Sequence, residues 1–487
     1  MPDTLRHTTI RALCWSFAEG VGLQAVKFAI GIVLARLLLP EQFGLIGMLM
    51  IFTAVAQSFL DSGFGSALVQ KREVVLTDTC SIFFFNILMG LLVTGALYMA
   101  APWIAAFYGQ PILIHLTRAL SLTIIIDAFG LIQSALLRKH MDFRTQTKVT
   151  LIAVLLSGFI GISMAVADFG VWSLVVQLVS NSLFRATLLW ILNPWRPRLI
   201  FSITALKEMF GFGSRMLASS LLNQIFENIY SLVIGKLFSP AQLGFFTRAV
   251  SLQGIPSQSL SEMVGRVTFP VFSIIQNDRV RLKKGVKKAL TLLVFAEFPL
   301  MIGLAVIARP LVLLLLTEKW FESVVYLQPL CMLGLLYPLH MINLNALQAL
   351  GRSDLFLRLE LIKKLLVVVN IAITWRWGIS AIIYGMIATS MVSYYLNSYY
   401  TERLIGYSLK EQLRDMTSYI VTSLLMGVAV YLVGIRTTHV SWPALLLQVL
   451  VGMVSYVCLC RIFRLAAFME LWQELWNGPP FRSETAS

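Results

Sequence analysis

Val33-Leu34-Ala35-Arg36-Leu37-Leu38-Leu39-Pro40-Glu41-Gln42-Phe43-Gly44 returns 200 residues later as Val233-Ile234-Gly235-Lys236-Leu237-Phe238-Ser239-Pro240-Ala241-Gln242-Leu243-Gly244. Val, Leu, Pro, Gln and Gly keep their places, and Arg36 is matched by Lys236. The same offset carries a polar stripe through the preceding helix: Gly20, Gln24, Lys27 and Gly31 against Ser220, Gln224, Glu227 and Ser231. Steps of four, three and four place each set on one helical face. Two copies of a helical bundle, each with a polar seam, describe a transporter with its pathway at the repeat interface.

Composition supports a membrane chain. Of the 487 residues 58% are hydrophobic and 13% charged, with a mean hydropathy of +0.79. A soluble chain carries about twice that charged fraction. Apolar stretches of about 20 residues each cross a bilayer once, and about 14 such spans fit here. The fold expected is all-α and polytopic, with loops too short for an extramembrane catalytic domain. The first span, about residues 15–38, exceeds a signal-peptide core and has no small-residue cleavage pattern, so it reads as a retained helix. Cys14, Cys80, Cys331, Cys458 and Cys460 are odd in number and scattered, which gives no disulfide framework and no metal-ligand spacing.

The net charge of +15 is sorted by side rather than gathered for nucleic acid. The N-terminus, the even-numbered loops and the C-terminus hold 27 of the 39 Lys and Arg, and the odd-numbered loops hold 7. By the positive-inside rule both termini are cytoplasmic. Trp172, Trp190, Trp320, Trp375 and Trp442 fall at span ends, where interfacial tryptophans belong.

The duplication runs on. Gly65 matches Gly265, Ala135-Leu136-Leu137-Arg138 matches Ala349-Leu350-Gly351-Arg352, and Gly170 opens one span as Gly378 opens another. Six helices per copy is an even number, so the copies share one orientation. The domains expected are a six-helix lobe over 1–200, a second over 201–404, and two added helices with a cytoplasmic tail over 405–487. Within that tail, 469–487 with Trp472 and Trp476 reads as an interfacial segment or an irregular end.

Span eight is the least suited to lipid, with Gln253, Ser257, Gln258, Ser259, Ser261, Glu262 and Arg266 in one crossing. Its counterpart, span two, offers Gln57, Ser58, Asp61 and Ser62. A charge at the bilayer centre costs about 2.5–3.5 kcal/mol on the insertion scale, so these faces look inward. The pathway candidates are Gln24, Lys27, Gln57, Asp61, Arg215, Gln224, Glu227, Arg248, Gln258, Glu262 and Arg266. Lys27 and Glu227 occupy equivalent positions with opposite charge: either an ion pair holding the copies together, or a gating pair remade as access alternates. Glu19, Asp61, Asp127, Glu262 and Glu297 are further carriers for a coupling proton or cation. The basic run Arg279, Arg281, Lys283, Lys284, Lys287 and Lys288 suits topology and anionic lipid, or capture of a phosphate-bearing substrate. No Gly-x4-Gly-Lys-Ser/Thr signature occurs, so ATP is not the direct energy source.

Ala35 to Gly44, then Asp61-Ser62-Gly63-Phe64-Gly65-Ser66-Ala67-Leu68-Val69-Gln70, together with Asn228 to Lys236 and Arg266 to Ser273, resemble bacterial polysaccharide flippases. The likeness covers about residues 5–430 and is closest to the Wzx-like, colanic acid exporter-like branch of the multidrug/oligosaccharidyl-lipid/polysaccharide superfamily. It implies two six-helix lobes in a V around a central cavity lined by helices one, two, seven and eight. It also implies export of undecaprenyl-pyrophosphate-linked oligosaccharide across the inner membrane by alternating access, coupled to H+ or Na+, alongside the polysaccharide assembly machinery and membrane lipids. On this reading the chain is no enzyme and takes no cofactor, metal or nucleic acid. A cation-coupled multidrug exporter of the same superfamily is the alternative.

Overall fold

The computed structural model describes residues 22–477, apart from 62–64, 66–67, 69–70, 72–73 and 438. Its long helices are α1 (22–37), α2 (Pro40–Asp61), α3 (Leu76–Tyr108), α4 (Leu113–Lys139), α5 (Phe143–Val166), α6 (Val171–Leu192), α7 (Ile203–Leu237) and α8 (Pro240–Ile274), followed by α9 (Arg279–Leu316), α10 (Glu322–Ala349), α11 (Ser353–Thr374), α12 (Ile379–Ile405), α13 (Leu409–Arg436), α14 (Trp442–Ile462) and α15 (Ala466–Asn477). No strand occurs among the described residues, and the protein is an all-α, multi-pass membrane protein. Ten of these helices are long and apolar enough to cross a bilayer by length and composition. The expected number of about 14 also counts α1, α7, α8 and α11, which do not meet that measure. Their sequences carry the polar stripes on α1, α7 and α8, and Arg358, Glu360, Lys363 and Lys364 on α11.

The chain folds as two compact units, residues 1–247 and 248–487. In the first, α3 packs on α4, α4 on α6 and α6 on α5. In the second, α9 packs on α10, α10 on α12 and α12 on α11. Each helix has the partner that a shift of six helices assigns to it, so the duplication read from residues recurs in the packing. Gly170 and Gly378 stand immediately before α6 and α12 with φ of +57° and +91°, a region that L side chains rarely adopt. Within the first unit α7 lies against α2, where the Ser220 hydroxyl donates to Ser58 Oγ at 3.1 Å.

The repeated motif is explained residue by residue. Pro40 and Pro240 open α2 and α8 at the position where a missing N–H is harmless. Gln42 folds back to accept from Leu39 N at 3.0 Å, and Gln242 accepts from Ser239 N at 3.3 Å, while Ser239 Oγ accepts from Gln242 N at 3.3 Å. The second is a reciprocal helix-start cap, and the first keeps its glutamine half alone. Gly44 and Gly244 are where the two helix starts cross. A Cβ on Gly44 would stand 1.7 Å from the Pro240 carbonyl oxygen, and one on Gly244 would stand 2.0 Å from the Pro40 carbonyl oxygen.

In the second unit α13 has no counterpart in the first six helices and packs along α9. Lys283 pairs with Glu411, Lys287 with Asp415 and Lys288 with Glu470, each at 2.7 Å. Half of the basic run therefore docks the C-terminal helices, a role its charge pattern did not signal. Behind these pairs Gln412, fully buried, accepts from Asn343 Nδ2 and the Tyr394 hydroxyl at 3.2 and 2.9 Å. Burial, with the Asp415 carboxylate accepting from its hydroxyl at 2.9 Å, holds the loop phenol Tyr407 well above the usual tyrosine range. The tail is helical over Ala466–Asn477, with Phe468 stacked on Trp472.

Trp172, Trp375 and Trp442 are exposed at helix ends, in keeping with interfacial positions. Trp320 departs from that expectation. It is fully buried, and the Arg248 guanidinium lies 5.3 Å from its ring centre. Cation–π stacking inside the second unit takes this ring away from the membrane surface.

Gly44→Ala should destabilise the protein by at least the ~1–3 kcal/mol typical of overpacking, because the obstructing atom is backbone and cannot rotate aside. Thermal unfolding in detergent would read the loss, and Gly22→Ala, which meets nothing within 4 Å, serves as the control. Equal midpoints for the two variants would remove the close crossing.

Candidate functional site

The first unit gathers charge from four helices around one guanidinium. Arg185 of α6 is in Coulombic range of Lys27 of α1, Asp61 of α2 and Asp127 of α4. Asp127 also lies near the Ser182 hydroxyl, one turn before Arg185, and Asp61 is in range of both Asp127 and Arg138. The cluster therefore holds three cationic and two acidic side chains. Lys27, Asp61 and Arg185 are exposed on the unit.

This arrangement bears on a pairing suggested by the sequence. Lys27 and Glu227 are both exposed, and no ion pair joins them among the described residues. Lys27 instead faces Arg185, a like charge. Asp127, nine residues along α4 from Arg118, finds Arg185 and Ser182, while Arg118 lies 4.6 Å from the Tyr98 ring centre. Equivalence in the repeat gave Lys27 and Glu227 similar depth without making them neighbours.

The remaining pathway candidates fall as follows. Gln24, Gln57 and Gln224 are half-buried in the first unit, with Gln224 lending its carbonyl to Asn228 Nδ2 at 2.9 Å. Arg248 belongs to the second unit, against Trp320. The side chains of Arg215, Gln258, Glu262 and Arg266 lie outside the described residues. Arg185 and Arg138 are functional candidates that the pattern reading passed over. The available signal was a lone arginine inside an apolar span, since such a residue almost always answers to a partner. Among the described residues no group of three His, Cys, Asp or Glu side chains could hold a metal.

Against known proteins, the family model described as "Polysaccharide biosynthesis protein" matches residues 33–325, well over half of the chain. The chain belongs to that family. It is 28% identical over 463 residues to the teichuronic acid biosynthesis protein TuaB of Bacillus subtilis, covering 93% of this chain and 94% of that one. To the lipopolysaccharide biosynthesis protein WzxC of Escherichia coli it is 25% identical, covering 89% of each. Among solved structures its fold is similar to the lipid II flippase MurJ in an inward closed conformation. The TM-score is 0.76 at 14% identity, over 94% of this chain and 99% of that one. An inward-facing multidrug transporter of the MOP superfamily aligns at a TM-score of 0.61 and 17% identity, over 78% and 95%. At those identities the likeness is one of fold, and the fold is that of the MOP superfamily.

Arg185→Ala should cost transport far more than Glu227→Ala, because it strips Asp61 and Asp127 of the cation they share. Arg185→Lys should retain part of the activity. In the same assay, exchanging Lys27→Glu with Glu227→Lys should rescue neither single reversal. Full rescue by that exchange would restore the pair that the structure separates.

Proposed function

We propose that this protein is a flippase that moves polyprenyl-pyrophosphate-linked oligosaccharide, of the undecaprenyl type, from the cytoplasmic to the outer leaflet of a bacterial inner membrane. The observation that carries the reading is family membership joined to a flippase fold along 94% of the chain. Relatives named for teichuronic acid, lipopolysaccharide and succinoglycan biosynthesis agree with an oligosaccharide cargo. The cationic excess around Arg185 suits a pyrophosphate, which an arginine fork and a lysine bind together. The protein acts as a transporter and not as an enzyme, by alternating access and driven by H+ or Na+. It hands its cargo to polysaccharide assembly proteins beyond the membrane.

We place the pathway along the faces that carry Gln24, Lys27, Gln57, Asp61 and Gln224; Arg215, Gln258, Glu262 and Arg266 are candidates from the sequence alone. Both termini are cytoplasmic, from the 27 to 7 division of Lys and Arg between alternate loops.

Deleting the gene should leave lipid-linked oligosaccharide accumulated on the cytoplasmic side, accessible to glycosidases only after the membrane is opened. A deletion strain with normal surface polysaccharide and raised sensitivity to cationic drugs would favour the multidrug alternative.

Topology has its own test. A cysteine at Lys284, exposed at the start of α9, should be labelled only from the cytoplasm, and one at Glu318, exposed after α9, only from outside. Glu318 serves better than Trp320, whose side chain is buried. Labelling of both from one side would overturn the orientation.

A further inference from the structure

Among the described residues of the second unit, Glu297 is an isolated ionisable group. It sits midway along α9 with no exposure, and neither carboxyl oxygen has a hydrogen-bond partner. Across from it on α8 stands Ser257, and Ser261 follows one turn on; they are 1% and 0% exposed, and their hydroxyls are likewise without partners. The Ser257 hydroxyl approaches the carboxyl without completing a hydrogen bond. Gln253, one turn before Ser257, faces Met301, one turn after Glu297, with Nε2 4.0 Å from Sδ. A polar ladder on α8 thus runs beside α9 with the carboxyl among its rungs. A serine in a helix commonly back-bonds to the carbonyl four residues earlier. These two do not, which leaves the Ser257 hydroxyl free for the carboxyl.

We propose that Glu297, with the buried Ser257 hydroxyl against it and Ser261 one turn beyond, is a proton-exchange site of the second unit. An ionised carboxylate buried without counter-charge or donor costs several kcal/mol, and taking up a proton removes that charge. The neighbours suit a group that alternates between two states. A hydroxyl both donates and accepts, so Ser257 can donate to the carboxylate and then, rotated, accept from the carboxylic acid. A lysine or arginine in their place would hold the group in one state.

Among the described side chains, several titratable groups on the elements around α9 are engaged elsewhere. Arg248 of α8 lies over Trp320, and His340 of α10 bonds Ser390 and Asn397 of α12 at 2.8 and 3.0 Å. Lys283, Lys287 and Lys288 of α9 itself pair with Glu411 and Asp415 of α13 and Glu470 of α15, and Arg309 of α9 lies 5.9 Å from the Phe321 ring centre. The Tyr419 hydroxyl of α13 accepts from Ala467 N, and the Tyr456 hydroxyl of α14 donates to the Phe295 carbonyl at 2.7 Å. Cys331 of α10 and Cys460 of α14 are buried free thiols.

The helices are built to respond at this level. Pro256 immediately precedes Ser257, and Pro299 lies two residues beyond Glu297. Each removes a helical hydrogen bond and permits a bend. The carbonyl freed by Pro299 belongs to Phe295 and is the one that takes the Tyr456 hydroxyl. Protonation at Glu297 would thus change how α8 seats on α9 where both helices can flex. Its use in driving transport rests on the flippase reading; the exchange itself does not.

The test uses the purified full chain in lipid nanodiscs, without substrate, followed by infrared spectroscopy across a pH titration. A carboxylic-acid stretching band should titrate in the wild type and be lost in Glu297→Gln. Ser257→Ala and Ser261→Ala should keep the band and shift its midpoint. If Glu297→Gln fails to fold, the serine variants carry the test alone. A titrating band that Glu297→Gln leaves in place, a midpoint indifferent to both serines, or a band that responds to Na+ and not to pH would each overturn the proposal. In proteoliposomes a proton gradient should stimulate export by the wild type and not by Glu297→Gln. No export by the wild type, with the band still titrating, would sink the flippase reading and leave the exchange site standing.

Discussion

Two helix starts meet backbone to backbone at Gly44 and Gly244, and much of the first unit follows from that contact. A side chain at either position would occupy the space of the opposite proline's carbonyl oxygen. The residues around them are constrained in turn. Proline at the first helical position gives up a hydrogen bond that no helix makes there, and glutamine two residues on satisfies the backbone N–H of the residue before the proline. Gly235 tightens the same region, since a Cβ there would lie about 3 Å from Met48, Leu243 and Tyr108. This explains why Pro-x-Gln-x-Gly survived in both copies while most of the surrounding sequence drifted. Apolar contacts tolerate exchange among Val, Ile, Leu and Phe, whereas a backbone crossing tolerates only glycine.

The fold was legible because its rules are local and periodic. Span length, loop charge and the shift of six helices can all be counted along the chain, and the packing of α3 to α6 recurs in α9 to α12. The candidate site was legible only in part, because its members come one or two at a time from α1, α2, α4 and α6. Spacing on one helix identifies a polar face but does not say which residue of another helix answers it. Lys27 and Glu227 show the limit: the repeat gives them the same depth, while Lys27 lies in range of Arg185. Trp320 shows the same limit for an aromatic ring, whose place at a span end said nothing of Arg248 above it. The basic run gave no sign of its partners, since Glu411, Asp415 and Glu470 lie more than a hundred residues away.

The helices added after the repeat give the second unit what the first does not have. α13 and α15 supply carboxylates to three lysines of α9. Partly exposed pairs of this kind are worth about 0–1 kcal/mol each, so they orient the added helices more than they hold them. The holding falls to burial, with Met416, Tyr419, Met426 and Val430 of α13 in one apolar cluster with Leu290, Val294 and Phe298 of α9. Glu297 lies within that same stretch of α9, one residue before Phe298. Its isolation is thus a product of the packing that the C-terminal helices complete.

The two units therefore treat internal charge in opposite ways. In the first, Asp61 and Asp127 are balanced against Arg185 within one exposed cluster, and adding an ion there means displacing a partner already present. Such a site is suited to exchanging one anion for another, as when a pyrophosphate takes the place of a carboxylate on a guanidinium. In the second, a lone carboxyl lies by the Ser257 hydroxyl, and a proton can come and go without breaking any ion pair. Cargo recognition and ion coupling need these different properties: one needs strong fixed charge that a ligand can compete for, the other a charge that can be switched. A duplicated bundle supplies two copies of one scaffold, and divergence at positions such as Lys27 and Glu227 leaves each copy free to specialise.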